Sequence, residues 1–281
     1  MKSGSFEILG ETEQVLTRAK FYPGSKNPKH LVIAQVWLGA TIDQSRFIGD
    51  LRDNADRFGD YSLAAVEHPG HGINNTDWSE KIIWTLQDCE DATLWAIHQI
   101  LEEKKPEKVI LAGNSLGFWT LYNALAKCHG INPTILALLG KSGIVSYRAI
   151  LGQLLARYWS SQDGQKAWQK LMEDLKMGDD GWWVIQINPQ DPPIPIHRNL
   201  LETICILNER DSTDTLVECW HGDRDEWSNI AEMEAHNWGE ITVHRQREMS
   251  HSLCHSGNDT VSRAVNQEMI RRIKEIFERG N

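Results

Sequence analysis

No run of about 18 apolar residues, the length needed to cross a membrane as a helix, occurs anywhere in the sequence. The opening Met1-Lys2-Ser3-Gly4-Ser5 has no apolar segment of the secretory kind either, so the expectation is a soluble, cytoplasmic protein. A basic tract is also missing. Lys and Arg number 29 against 39 Asp and Glu, a net charge of −10, which leaves nothing to neutralise nucleic-acid phosphates. The five cysteines (Cys89, Cys128, Cys205, Cys219 and Cys254) are odd in number and scattered, with no Cys-x-x-Cys. That pattern reads as reduced, mostly buried thiols. Internal repeats and low-complexity tracts are absent. With no secretory segment, the sequon Asn258-Asp259-Thr260 is assigned no role.

What is present is an ordinary globular composition, 41% apolar and 24% charged over 281 residues. That length holds one large α/β domain with an insertion, or two small domains. Residues 6–10 and 14–22 read as short strands forming a hairpin at a sheet edge. Residues 31–37 are a strong buried strand, and 43–58 repeat apolar residues at helical spacing (Phe47, Ile48, Leu51, Ala55). A strand at 61–66 and a long helix over 78–104 follow, then a strand ending in Ala112, a helix over 118–127 and a strand at 133–139. Strands alternating with helices at this spacing predict a parallel sheet covered on both faces.

The alternation breaks between about 145 and 212. Helical patterns at 149–159 and 165–175 are followed by Gly181-Trp182-Trp183 and a loop rich in proline (Pro189, Pro192, Pro193, Pro195). We read residues 146–212 as an inserted helical lid over a core made of 1–145 and 213–281. The core resumes with a strand at 215–220, a helix near 229–236, a strand at 240–245 and a final helix over 260–279.

The most informative stretch is Val109-Ile110-Leu111-Ala112 running into Gly113-Asn114-Ser115-Leu116-Gly117. A buried strand, a tight turn and a helix form the context in which a serine is held at a strained elbow with its hydroxyl presented. Glycine fits at 113 and 117 because such a turn brings strand and helix too close for larger side chains. A serine hydroxyl is a weak nucleophile unless a base takes its proton and an acid orients the base. In an open parallel sheet those partners belong at the carboxyl ends of neighbouring strands. Two such ends carry candidates: His221-Gly222-Asp223-Arg224-Asp225 and Met249-Ser250-His251. Asp223 or Asp225 is then the acid, and His251 or His255 the base.

The order of these pieces resembles the α/β-hydrolase superfamily over nearly all of the chain outside the insertion. Leu38-Gly39-Ala40 stands where the family usually has His-Gly-x after its third strand. Glu67-His68-Pro69-Gly70-His71-Gly72 looks like the family's Asp-x-Pro-Gly-x-Gly turn. The elbow and the late Asp…His follow in the family's chain order. The resemblance implies Ser115 as nucleophile, His251 as general base and Asp225 as the acid. It implies an oxyanion hole from the backbone N–H groups of Ala40 and Leu116, and no metal or cofactor. It also places Gly39 and Phe118 beside the substrate. His68 and His71 are loop residues, with the pocket mouth as the alternative for His68, and Cys254 packs near the site. Leu38 and the pair Phe118-Trp119 depart from the family's usual histidine and further glycine, so a close subfamily stays unassigned.

Trp159, Trp168, Trp182 and Trp183 all fall in the insertion. They either bury the lid's own core or line an aromatic pocket; on the second reading Trp159, Trp182 and Trp183 contact substrate. The implied activity is cleavage of a carboxylic ester or thioester of an apolar or aromatic small molecule through an acyl-enzyme. Acyl transfer, carbon–carbon hydrolysis of a diketone, and non-catalytic ligand binding are the alternatives.

Overall fold

The structure, a computed structural model, describes residues 4–9, 15–37, 41–43, 45–69, 86–128, 134–143, 182–185, 194–197, 215–225, 228, 230–235, 241–251 and 260–279. Among them, eight strands form one sheet in the order β1 (Gly4–Leu9), β2 (Val15–Tyr22), β4 (Ser62–Val66), β3 (His30–Gln35), β5 (Lys108–Asn114), β6 (Thr134–Lys141), β9 (Leu216–Gly222), β10 (Ile241–Gln246). β1 and β2 make the antiparallel hairpin at one edge, and every pairing from β4 to β10 is parallel. Strand β5, which leads into the elbow, is central.

The strands are apolar on both faces because both faces are covered. All five residues of β4 are buried, as are Leu31 to Gln35 of β3 and Val109 to Asn114 of β5. One face packs against α1 (Arg46–Phe58) and the long C-terminal helix α5 (Thr260–Arg279). It holds Ile110, Ala112, Leu139 and Trp220 together with Phe47, Ile48, Met269 and Ile273. The other packs against α2 (Leu86–Lys104) and α3 (Leu116–Lys127), around Leu111, Leu138, Ile97, Ile100 and Leu121. Each such large side chain taken from water contributes roughly 1.5–3 kcal/mol, so the two-layer burial is what holds the elbow strand in place.

Local signals set the helix ends. Ser45 caps α1 by accepting from the Ile48 N–H, and Gly59 closes it at φ 67°, a left-handed conformation that glycine adopts without penalty. Helix α2 is described from Leu86; the start expected at 78 lies outside the described residues. A short helix, α4 (Ile230–Ala235), links β9 to β10.

Within the insertion the difference concerns the stretch read as loop. Its described residues are two short antiparallel strands, β7 (Trp182–Ile185) and β8 (Ile194–His197). Pro195, which reads as loop, sits in β8 opposite Val184. In a two-stranded ribbon each strand keeps one unpaired edge, so a residue without an N–H is tolerated there. The helical patterns at 149–159 and 165–175 lie outside the described residues.

Candidate active site

The elbow is built by close approach. Ser115 has φ 55° and ψ −117°, a strained conformation for a non-glycine residue, held between the end of β5 and the first turn of α3. Its N–H donates to the Lys141 carbonyl of β6 at 3.0 Å, and its carbonyl accepts from the Phe118 N–H at 3.1 Å. A methyl group on Gly113 would collide with the Phe118 backbone of α3. One on Gly117 would lie about 2.5 Å from the Gln35 and Val36 carbonyl oxygens of β3. Neither neighbour can yield, because both are backbone.

Three side chains from the ends of different elements meet here. Ser115 Oγ lies 2.8 Å from His251 Nε2. His251 Nδ1 lies 2.9 Å from Asp225 Oδ2 and 3.1 Å from Oδ1. A carboxylate can only accept, so Nδ1 carries the proton and donates; Nε2 is then the bare nitrogen that accepts the Ser115 O–H. All three side chains are buried.

Asp225 also accepts from the Ser228 N–H at 2.8 Å. Burial pushes its carboxyl upward, but the His251 imidazole, its hydrogen bond, His221 and the Ser228 N–H outweigh that. The carboxyl is held below the ordinary aspartate range. It is therefore ionised at neutral pH.

The structure separates the two candidate acids. β9 runs two residues beyond Trp220, through Gly222, and so delivers Asp225 to the histidine. Asp223 is exposed and points the other way, accepting the Glu248 N–H at 2.7 Å in the turn after β10. Gly222 is required because any side chain there would strike the Met249 carbonyl, two residues before His251. His255 and Cys254 lie outside the described residues.

Of the expected oxyanion donors, Leu116 opens α3, so its N–H is one of the first-turn donors with no carbonyl behind it. Ala40 and Gly39, like Trp159, lie outside the described residues; Trp182 and Trp183 lie on β7, whose side chains are also outside them. Phe118 is a correction. It is fully buried, its ring lies against Gly140 and Gly143 and beside Tyr122, and it serves the core rather than the substrate. The periodicity of α3 turns that residue toward the sheet, against β6.

His68 lies in the loop after β4, as expected, but in the interior. It is buried, its Nε2–H donates to the Val36 carbonyl at 2.8 Å, and its Nδ1 faces Gln35 Nε2 at 3.3 Å. Gln35 in turn bonds Thr93 of α2 and Thr120 of α3. This polar group fixes the strand end that leads to positions 38–40. No sequence signal joins residues up to 85 positions apart. Lys141, also unforeseen, is fully buried beside the elbow and bonds Ser262 and Asn266 of α5; a lysine ending an apolar strand was its only sign.

The described cysteines, Cys89, Cys128 and Cys219, are buried and reduced. Burial pushes Cys89 upward and Cys128 up to about 11, so neither is a ready nucleophile. Among the described residues, no group of three or more His, Cys, Asp and Glu is placed to hold a metal ion, and no helix is long and apolar enough to cross a membrane.

No family model matches the sequence, and no curated protein matches it. Solved structures do. Alpha/beta hydrolase domain-containing protein 10 from mouse superposes with a TM-score of 0.63 at 13% identity, covering 98% of this chain and 100% of that one. An esterase domain from a Rhodothermus marinus protein gives 0.58 at 13%, covering 98% and 99%. A soluble variant of monoglyceride lipase from Saccharomyces cerevisiae, solved with a substrate analog, gives 0.62 at 12%, covering 92% of each chain. The superposition runs nearly end to end in each: this chain has the fold of the α/β-hydrolase superfamily.

Proposed function

We propose that the protein is a serine hydrolase that cleaves a carboxylic ester or thioester of an apolar or aromatic small molecule through an acyl-enzyme. The observation that carries this reading is the hydrogen-bonded line Ser115–His251–Asp225, from one strained elbow and two strand-end loops. A chance cluster would not combine that line with a nucleophile held off the ordinary backbone map. That solved neighbours include an esterase domain and a monoglyceride lipase supports the choice of ester chemistry.

In this reading Ser115 Oγ attacks the acyl carbonyl while His251 Nε2 takes its proton. Asp225, ionised, accepts the Nδ1–H and stabilises the imidazolium that forms. The Leu116 N–H, with that of Ala40, meets the developing oxyanion, where charge appears only in the transition state. His251 then gives its proton to the departing alcohol or thiol. Water, deprotonated by the same imidazole, releases the acid. Hydrogen-bond donors and bases of this chain carry every step.

Labelling with a fluorophosphonate probe tests the reading, followed by turnover of p-nitrophenyl esters and acyl thioesters of graded length. Covalent modification of Ser115 together with ester turnover supports it. Folded protein that never labels refutes it and favours a ligand-binding role. Labelling without ester or thioester turnover moves the activity to acyl transfer or carbon–carbon cleavage.

A further inference from the structure

His221 takes no part in the proton transfers proposed above, yet it sits directly behind the acid. It is fully buried at the end of β9. Its Nε2–H donates to the Ser228 carbonyl at 2.7 Å. The N–H of that same residue, Ser228, donates to Asp225 Oδ1 at 2.8 Å. One residue thus faces His221 with its carbonyl and Asp225 with its amide. The ring nitrogen of His221 stands 3.6 Å from Asp225 Oδ2, beyond a hydrogen bond. Its other nitrogen, Nδ1, is buried with no hydrogen-bond partner among the described residues.

A buried nitrogen without a partner costs stability, and a phenyl ring would fill similar space without that cost. The imidazole is explained by its donor. It ties down the Ser228 carbonyl without bringing a permanent charge to Asp225. A lysine or arginine there would compete with His251 for the carboxylate. Burial lowers the affinity of His221 for a second proton; Asp225, the Ser228 carbonyl and Glu234 of α4 act in the opposite direction, and His251 acts with burial. The net result is a neutral ring.

We infer that His221 is a positioning residue for the acid: through Ser228 it holds Asp225 in register with His251, and so tunes the reactivity of Ser115. This rests on the serine-hydrolase reading, and deepens it by adding a residue behind the acid.

A double-mutant cycle tests it, with the rate of Ser115 labelling by a fluorophosphonate as readout, since that probe needs no known substrate. His221→Phe removes a buried unpartnered nitrogen but also the donor to the Ser228 carbonyl, so it is expected to fold with stability near or somewhat below wild type, while labelling slows about tenfold, the rate equivalent of one lost buried hydrogen bond. In an Asp225→Asn background the same substitution should cost nothing further, because its effect passes through the carboxylate. His221→Gln, whose amide can donate to the Ser228 carbonyl, should recover most of the rate. An undiminished rate in His221→Phe overturns the inference, as does a full tenfold loss that persists in the Asp225→Asn background. Should His221→Phe not fold, His221→Gln and His221→Asn decide, with equal losses in both backgrounds counting against the inference. Failure of wild type itself to label overturns the hydrolase reading instead, so the two are told apart.

Discussion

Ser115 Oγ and His251 Nε2 are 2.8 Å apart although 136 positions separate them in the chain. Removing the hydroxyl is therefore the most direct perturbation. Ser115→Ala should abolish fluorophosphonate labelling and ester turnover while the circular dichroism spectrum stays that of the parent. Peptide mass spectrometry of the labelled parent should place the adduct on Ser115.

His251→Ala should lower turnover by about two to four orders of magnitude, the usual share of a general base. His255→Ala should cost far less; the opposite ranking would move the base to 255. Because its partners hold the Asp225 carboxyl below the ordinary aspartate range, acidification through that range should not by itself remove the acid. A kcat/KM profile whose acid side is the same in parent and Asp223→Asn checks this.

Asp225→Asn should keep the fold and lose about three to four orders of magnitude in rate, since an amide stabilises no imidazolium and can favour the wrong tautomer. Asp223→Asn should be nearly silent, because an amide oxygen can still accept the Glu248 N–H. The two variants assayed side by side settle which carboxylate acts.

Gly117→Ala should destabilise by about 1–3 kcal/mol, the ordinary cost of overpacking against atoms that cannot move. The added methyl meets two β3 carbonyls, and relief requires shifting the strand or the elbow. A lower urea midpoint together with slower Ser115 labelling is the expected result.

Stability should fall in acid through two separate windows. His221 is neutral when folded, its proton affinity lowered by burial, so the unfolded chain binds the extra proton. As pH drops below about 6.5, its contribution declines by at most about 1.4 kcal/mol per pH unit. Asp225 has a folded value below its unfolded one, so its contribution is present above about 3.9 and is lost as pH falls toward the folded value. Urea midpoints from pH 8 to 3 should show both declines in the parent, and His221→Phe should show a shallower first one, to which His30, also lowered by burial, still contributes.

The architecture of the core was legible from residue order because it rests on local periodicity. Continuous apolar runs such as Val109 to Ala112 have no way to be buried except between two helical layers, and the Gly113-x-Ser115-x-Gly117 spacing requires an elbow. The insertion was not legible in the same way. Its tryptophans and prolines fit a helical lid or a ribbon equally, and backbone pairing of Trp182–Ile185 with Ile194–His197 is a non-local outcome.

By itself, then, the sequence determined the alternating sheet, the elbow and a short roster of acids and bases at strand ends, since each depends on neighbours along the chain. Only the tertiary structure decided which members of that roster meet. Two extra residues of β9 turn Asp225 inward and leave Asp223 to hold a turn. Helix α3 buries Phe118 under the sheet, and the strand end at Val36 recruits His68. The physical reason is reach: a hydrogen bond selects partners within about 3 Å of one another, and distance along the chain carries no information about that.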